Sequence, residues 1–219
     1  PELLDYLAVR LMDDGWSLKS LHRLIVSSRT YQQDALISPE ALAKDPENIW
    51  LARGPRFRMS GEMIRDIVLA SSGLLSRKLG GPSVRPPQPS SVTAAAYGGA
   101  RWNASQGESR YRRSLYTFMK RTAPFAAFLA FDGPTGEQCL PRRDRSNTPI
   151  QALTLLNDEM FIEAARAIAA QLKGTSGEQL DMLYQRILTR LPQEEERKAL
   201  LQFYENQLAR LSAGDLDAA

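Results

Sequence analysis

The side chains best suited to chemistry are gathered between Arg110 and Gln151. Arg112, Arg113, Arg121, Arg142, Arg143 and Arg145 are interleaved there with Tyr111, Tyr116 and Phe118. A guanidinium fork meets a carboxylate, sulfate or phosphate with two parallel hydrogen bonds. An aromatic face beside it stacks on a sugar ring or a base. These nine side chains form the candidate anion-binding set. The competing reading is internal: the same arginines pair with Asp144, Asp158, Glu159 and Glu163 and tie a helix starting near Thr148 to the core. On that reading, removing Arg145 strands a buried carboxylate. Nucleic-acid binding predicts a steep salt dependence, but no recognised nucleic-acid motif accompanies these residues, and that partner is disfavoured.

The charge distribution leaves both readings open. The 219-residue chain has a net charge of only +3. Residues 1–50 carry 5 basic and 8 acidic side chains, residues 51–145 carry 16 and 6, and residues 146–219 carry 7 and 11. Either acidic ends fold back on a basic middle, or the middle presents an anion-binding surface.

Other chemistries are excluded or weak. His22 is the only histidine, so a Ser-His-Asp or Cys-His site has to use it, and an H-E-x-x-H zinc site, which needs two, is absent. It lies in an amphipathic pattern and reads as a surface or capping residue. Cys139 is the only cysteine, which excludes an internal disulfide and a multi-cysteine metal site; no metal ligand set is assigned. Its simplest reading is a buried or half-buried thiol. C-x-x-C-H is missing, so this segment holds no c-type haem of its own. No G-x-G-x-x-G or Walker pattern supports nucleotide binding. Asp132 and Glu137 flank a turn; two carboxylates roughly 5–10 Å apart serve a glycosidase, but turn capping is the simpler role. No catalytic residue is assigned.

The elements that position these residues are mostly helical. Leu3, Leu4, Leu7 and Leu11 form an apolar stripe that predicts a first helix ended by Gly15. Ser17 caps a second helix, with Leu18, Leu21, Leu24 and Ile25 on its buried face. Residues 38–48 read as loop with a short helical turn, and Arg53 to Arg58 as extended. Ser60 caps a third helix whose buried face is Met63, Ile64, Ile67, Val68 and Leu69, ending near Gly73. Pro and Gly crowd residues 79–99, which cannot sustain a helix or a central strand. From Arg110 the pattern fits a strand or, preferably, a helix, until Pro124. Thr148-Pro149-Ile150-Gln151 has the residues of a capping box with Pro at the first helical position. Helices follow to Gly174, then over about 178–191 and 193–211, with residues 212–219 fraying. The fold class is mostly α: an irregular multi-helix domain with a Pro/Gly-rich central loop region and a C-terminal helical bundle. It reads as one domain over 1–219, with sub-regions 1–78 helical, 79–109 loop, 110–147 the arginine and aromatic hub, and 148–211 bundle. No apolar run approaches the roughly 18 residues of a membrane span.

Several blocks carry a resemblance: Pro1-Glu2-Leu3-Leu4-Asp5-Tyr6-Leu7-Ala8, Leu21-His22-Arg23-Leu24-Ile25, Asp45-Pro46-Glu47-Asn48 and Arg56-Phe57-Arg58. Further blocks are Gly80-Gly81-Pro82-Ser83-Val84, Tyr111-Arg112-Arg113-Ser114-Leu115-Tyr116, Lys120-Arg121-Thr122-Ala123-Pro124 and Asn147-Thr148-Pro149-Ile150-Gln151. Together they resemble the C-terminal portion of the planctomycete domain of unknown function 1553, the PSD-type domain that accompanies cytochrome-c-type domains. The resemblance implies a piece clipped at both ends from a large exported protein, periplasmic or otherwise extracytoplasmic. It implies other domains of the parent chain as partners, and haem c, if any, in a separate domain. The family has no established catalytic residues, so none is carried over. Two functions stand: a non-catalytic scaffold or interaction domain, or an enzyme or binding module for an anionic ligand such as a sulfated or acidic polysaccharide.

Overall fold

The computed structural model describes residues 1–89, 102–121 and 123–214. Residues 90–101 of the expected Pro/Gly-rich loop, and 215–219 of the expected frayed end, lie outside the described residues. Among those described, nine α-helices and two short 3₁₀ turns account for the regular structure, with only isolated bridge pairs in place of strands. The fold is mostly α, as expected. The chain divides into two compact units, Pro1–Arg58 and Met59–Ala219.

In the first unit, α1 (Glu2–Asp13) opens with Glu2 and Asp5 in its first turn, where acidic groups complement the helix dipole. It closes at Asp14, and Gly15 and then Trp16 take the left-handed conformation (φ 65° and 61°) that reverses the chain. In α2 (Leu18–Val26), the Ser17 hydroxyl accepts from Ser20 N at 3.3 Å, and the pair packs as a helical hairpin. α3 (Pro39–Lys44) is capped by Ser38, whose hydroxyl accepts from Ala41 N at 3.2 Å. None of these helices buries a residue. The buried group of this unit is a carboxylate. Asp45 accepts from Ile49 N at 2.8 Å and Trp50 N at 2.9 Å.

The second unit is built on α4 (Gly61–Ser72), capped by Ser60 and closed by Gly73 at φ 78°. The fully buried stripe of α4 is Gly61, Arg65, Leu69 and Ser72, at i, i+4, i+8 and i+11. Of the expected aliphatic face, Leu69 is buried and Ile64 and Val68 pack half-buried on the core, while Met63 and Ile67 are exposed. Gly61 is there for space, since a Cβ would lie 3.1 Å from Phe131 Cβ and 3.3 Å from Phe128 Cα. That close approach seats α4 against α5 (Ala126–Ala130). Leu69, Phe131, Met160 and Phe161 form one core cluster. Phe125, Ala127 and Phe128 form a second against Trp102, whose ring stacks on Phe125 at 5.9 Å between centroids.

Residues 107–118 are neither the preferred helix nor a strand. Two 3₁₀ turns, Gly107–Tyr111 and Ser114–Tyr116, flank extended Arg112 and Arg113. The carbonyls of Arg110 and Arg112 face the Arg65 guanidinium, so they are withdrawn from any helical ladder. α6 (Pro149–Asn157) and α7 (Glu159–Ala169) meet at Asp158, which caps α7 through Met160 N at 3.0 Å. α8 (Ser176–Leu188) starts two residues before the expected Glu178. The reason is a capping box: Thr175 N donates to Glu178 Oε2 at 2.8 Å, and Glu178 N to the Thr175 hydroxyl at 3.4 Å. It ends at Leu188, where Thr189 turns left-handed at φ 56°. α9 (Glu194–Ser212) closes the described chain.

Candidate functional site

The basic stretch folds around a guanidinium from outside it. Arg65, projecting from the middle of α4, is 1% exposed. Its Nη1 donates to Arg112 O at 2.7 Å and to the Ser114 hydroxyl at 3.3 Å, and its Nη2 to Arg110 O at 3.0 Å. Burial pushes its pKa down to about 10, against the opposing fields of Asp66 and Asp158. It therefore stays charged at neutral pH, held by carbonyl dipoles and by an Asp66 carboxylate 3.8 Å away. Asp66 Oδ1 in turn accepts from Ser114 N at 2.7 Å. One turn of α4 thus fixes the backbone of three successive stations, 110, 112 and 114.

Arg112 is buried in the same manner. Its guanidinium donates to the carbonyls of Pro82 (2.9 Å), Lys78 (3.4 Å) and Gly80. It lies 3.7 Å over the Tyr116 ring, whose hydroxyl accepts from Gly80 N at 2.8 Å. Gly80 and Gly81 take positive φ (72° and 90°), and a Cβ on Gly81 would sit 3.6 Å from Arg112 Nη1. The glycine pair thus curls carbonyls around a cation, with the amide of Gly80 turned to the tyrosine. Arg112 and Tyr116, both in the candidate anion set, have their polar atoms directed into the protein.

Ion pairing takes place two residues upstream of Arg112. Arg110 Nη2 donates to Glu159 Oε1 at 2.6 Å and its Nε to Glu163 Oε2 at 3.1 Å. Burial works against the Arg110 charge, but these bonds outweigh it and raise the pKa. The Tyr111 hydroxyl donates to Glu163 Oε1 at 2.6 Å, and that bond raises the tyrosine's pKa. Asp158 is pushed up by burial, partly offset by the Met160 amide. Of the acidic partners expected, Glu159 and Glu163 take Arg110, which was not one of the six candidate arginines, and Glu163 also takes Tyr111, while Asp158 serves as helix cap.

The remaining candidates scatter. Arg113 is exposed, its Nε 3.8 Å from Asp66 Oδ2. Phe118 is half-buried, with the Arg85 guanidinium 4.2 Å above its ring. Arg143 Nη1 sits 2.9 Å from both oxygens of Glu62. Burial would raise the Glu62 pKa, but the capping bonds at the start of α4 and the Arg143 guanidinium bring it below its ordinary value. Arg121, Arg142 and Arg145 are exposed. His22 is exposed on α2, and Cys139 is an exposed free thiol rather than the buried or half-buried one expected.

Asp132 is a turn residue at φ 58° whose carboxylate accepts from Ser146 N and the Ser146 hydroxyl, each at 2.7 Å. Buried Gln151 donates to that same hydroxyl at 3.1 Å and accepts from Thr148 N at 3.3 Å. A turn carboxylate and a helix-start glutamine thereby clasp the hub's downstream end to α6.

Arg65 and Arg110 were outside the sequence-derived set. Arg65 had a signal: Gly61 and Ser72 share its helical stripe, and small residues mark a face where another backbone approaches. Arg110 opens the stretch and reaches Glu159 and Glu163 through ordinary pairing. Among the described residues no cluster of His, Cys, Asp and Glu suits a metal ion, and no helix is long and apolar enough to cross a membrane.

Fold and hub together define a mostly α, multi-helix domain organised on buried arginines. The chain belongs to the PSD1 family, proteins of unknown function (DUF1553), which it matches over residues 1–204. Neither the curated proteins nor the solved structures yield a match.

Proposed function

We propose that this domain is a non-catalytic scaffold that docks other domains of its parent protein, in the extracytoplasmic, haem-associated setting that the family resemblance implies. The observation that carries the reading is the apolar surface of residues 1–58. α1, α2 and α3 bury none of their residues, and Leu3, Leu4, Trp16, Leu36, Ile49 and Trp50 are 68–76% exposed. Apolar patches of this kind mark interaction surfaces. The arginines that suggested ligand chemistry supply the supporting argument. The most deeply buried of them, Arg112, directs its Nη donors at the protein's own carbonyls, as does Arg65, which lies outside that set. Cross-linking mass spectrometry on the full-length parent protein tests this: contacts to other domains are expected to concentrate in residues 1–58. Cross-links confined to residues 59–219 overturn it.

A second reading keeps an anion site at the hub's outer rim, where Arg121 and Arg142 are exposed. It requires binding to heparin-type and sulfated glycans that weakens steeply with salt and drops in an Arg121→Ala/Arg142→Ala double variant. Salt-insensitive or absent binding removes it.

A further inference from the structure

Two segments of the second unit, 76–84 and 112–118, run side by side and parallel. Ser76 pairs with Arg112, and Val84 with Thr117. Val84 N donates to Tyr116 O at 2.8 Å, and Phe118 N to Val84 O at 2.7 Å. Five cations lie along and just beyond this join: Arg77, Lys78, Arg85, Lys120 and Arg121. Arg77, Lys78 and Arg121 are exposed, and Arg85 and Lys120 are half-buried. None of their side-chain nitrogens makes a hydrogen bond or ion pair with a described residue. The acids around them do not cancel this charge. Glu108 accepts from the Ser76 hydroxyl at 2.6 Å. Glu137 follows Gly136, where a Cβ would lie 3.5 Å from Arg121 Cγ. Asp66 is matched by Arg113, 3.8 Å away. The hub behind the strip is balanced in number, Arg65, Arg110 and Arg112 against Asp158, Glu159 and Glu163. Five cations are therefore left against two carboxylates.

Arg85 is the best prepared of the five. Its backbone is held in both directions: Arg85 N donates to the Ser105 hydroxyl at 3.0 Å, and Ser105 N to Arg85 O at 2.8 Å. Its guanidinium lies 4.2 Å over the Phe118 ring, which leans on Trp102 at 6.4 Å between centroids. A guanidinium stacked by its face keeps its N–H edge for an acceptor in its own plane. A half-buried donor with no acceptor is uncommon in a folded protein, and an oxyanion completes this one. A carboxylate has two oxygens, which one guanidinium fork fills. A sulfate ester or phosphate monoester has three, and accepts from a fork and from an ammonium such as Lys120 together. The stretch from Arg112 to Thr117 spans at most about 18 Å, with unpaired cations at both ends. That is further than one anionic group reaches, so the complement is a chain that repeats the group.

We infer that this strip binds an extended glycan bearing sulfate esters or phosphate monoesters, with one ester group on Arg85 and others along Arg77, Lys78, Lys120 and Arg121. This rests on the second, anion-binding reading and moves its centre from the rim at Arg142 to Arg85. The test titrates the whole chain by calorimetry with dextran sulfate, dextran phosphate and carboxymethyl dextran of matched charge, and with a single-stranded oligonucleotide, whose phosphodiesters have two free oxygens each. The sulfated or the phosphorylated dextran is expected to bind at least about tenfold more tightly than the other two polymers, the equivalent of about 1.4 kcal/mol. Whichever of the two is tighter identifies the ester. Arg85→Leu, which keeps an apolar contact on Phe118, is expected to weaken that binding about tenfold. The Arg77→Ala/Lys78→Ala variant is expected to weaken it less and to flatten its salt dependence. Lys198→Ala, at an exposed cation on α9, leaves it unchanged. Carboxymethyl dextran or the oligonucleotide binding as tightly overturns the ligand class. Absent binding, or full binding by Arg85→Leu, overturns the inference. If Arg85→Leu lowers the melting temperature, the exposed pair decides, and undiminished binding by Arg77→Ala/Lys78→Ala sinks the strip. Loss of binding in the Arg121→Ala/Arg142→Ala variant, with none in Arg85→Leu, leaves the rim site standing and removes the strip.

Discussion

The two units of this chain bury opposite things. In residues 1–58 the buried side chain is a carboxylate, Asp45, while leucines, tyrosines and tryptophans face outwards. In the second unit the largest fully buried side chain is an arginine, Arg65, ahead of Phe125 and Leu69. In both places a charge is turned inward because backbone groups meet it: amides for Asp45, carbonyls for Arg65 and Arg112. The difference is what surrounds the charge. Around Arg65 aromatic and aliphatic side chains close a core. Around Asp45 they stay in the open, and the charge serves to shape a loop. A cluster of arginines in a sequence is thus as compatible with internal scaffolding as with a ligand site, and a row of leucines as compatible with a surface as with a core.

The largest expected effect breaks the hub. Arg65→Ala leaves the carbonyls of Arg110 and Arg112 without their donor and removes the counter-charge 3.8 Å from Asp66, at a cost of about 3–5 kcal/mol. Arg65→Met keeps the volume and removes the donors. A melting temperature restored by Met would mean that packing, not hydrogen bonding, holds the site. Arg110→Ala loses two bonds to carboxylates that are 63% and 31% exposed, so solvent screening reduces the loss to about 1–2 kcal/mol. A chemical denaturation midpoint unchanged in that variant would remove Arg110 from the hub.

These weights show where the sequence was legible. Ser17, Ser60, Gly73 and Thr148 mark helix ends by local chemistry, and the structure places ends there. The acidic residues of α7 were identifiable as arginine partners because opposite charges on one hub have few other places to go. The face of α4 was legible only in part: Ile64, Val68 and Leu69 of the expected face do pack in the core. Helical periodicity picks out Met63 and Ile67 as readily as Leu69, and only the approach of Phe128 and Phe131 on Gly61 decides which stripe turns inward. Nor was the geometry of residues 110–118 legible. Its carbonyls are directed by Arg65, which is 47 residues away from Arg112, a distance over which local propensity carries no information. Arg145, whose removal was expected to strand a buried carboxylate, is exposed, and the deeply buried arginine is Arg65.

Weaker pairs sharpen the contrast. Arg143→Ala removes a half-exposed contact to Glu62 and is expected to cost less than about 1 kcal/mol. A loss matching that of Arg65→Ala would extend the hub to the loop at 141–145. Arg190 and Glu196, joined by two bonds of 2.7 Å at the α8–α9 turn, test the pH side. The arginine lowers the Glu196 pKa to about 2. A depressed carboxylate pKa contributes stability above its unfolded value, near 4.5, that is lost as pH falls towards 2. Glu196→Gln is therefore expected to flatten the acid limb of a thermal-melt series between those values. An unchanged limb would show that this pair adds nothing to the helical hairpin.

The smallest expected effect on stability belongs to the outward-facing tryptophan of the first unit. Trp50 is 73% exposed, and it is its backbone amide, not its ring, that Asp45 holds. Trp50→Ala keeps that amide, so its unfolding free energy should stay within about 0.5 kcal/mol of the unsubstituted protein's. Asp45→Ala releases both amides and should loosen the loop, read as faster hydrogen exchange at residues 48–51 with little change in the second unit. If the ring is displayed for a partner, Trp50→Ala reduces cross-linking to the parent protein's other domains without altering exchange anywhere. If it destabilises the fold instead, the ring is part of a core, and the distinction between the two units fails at its most exposed point.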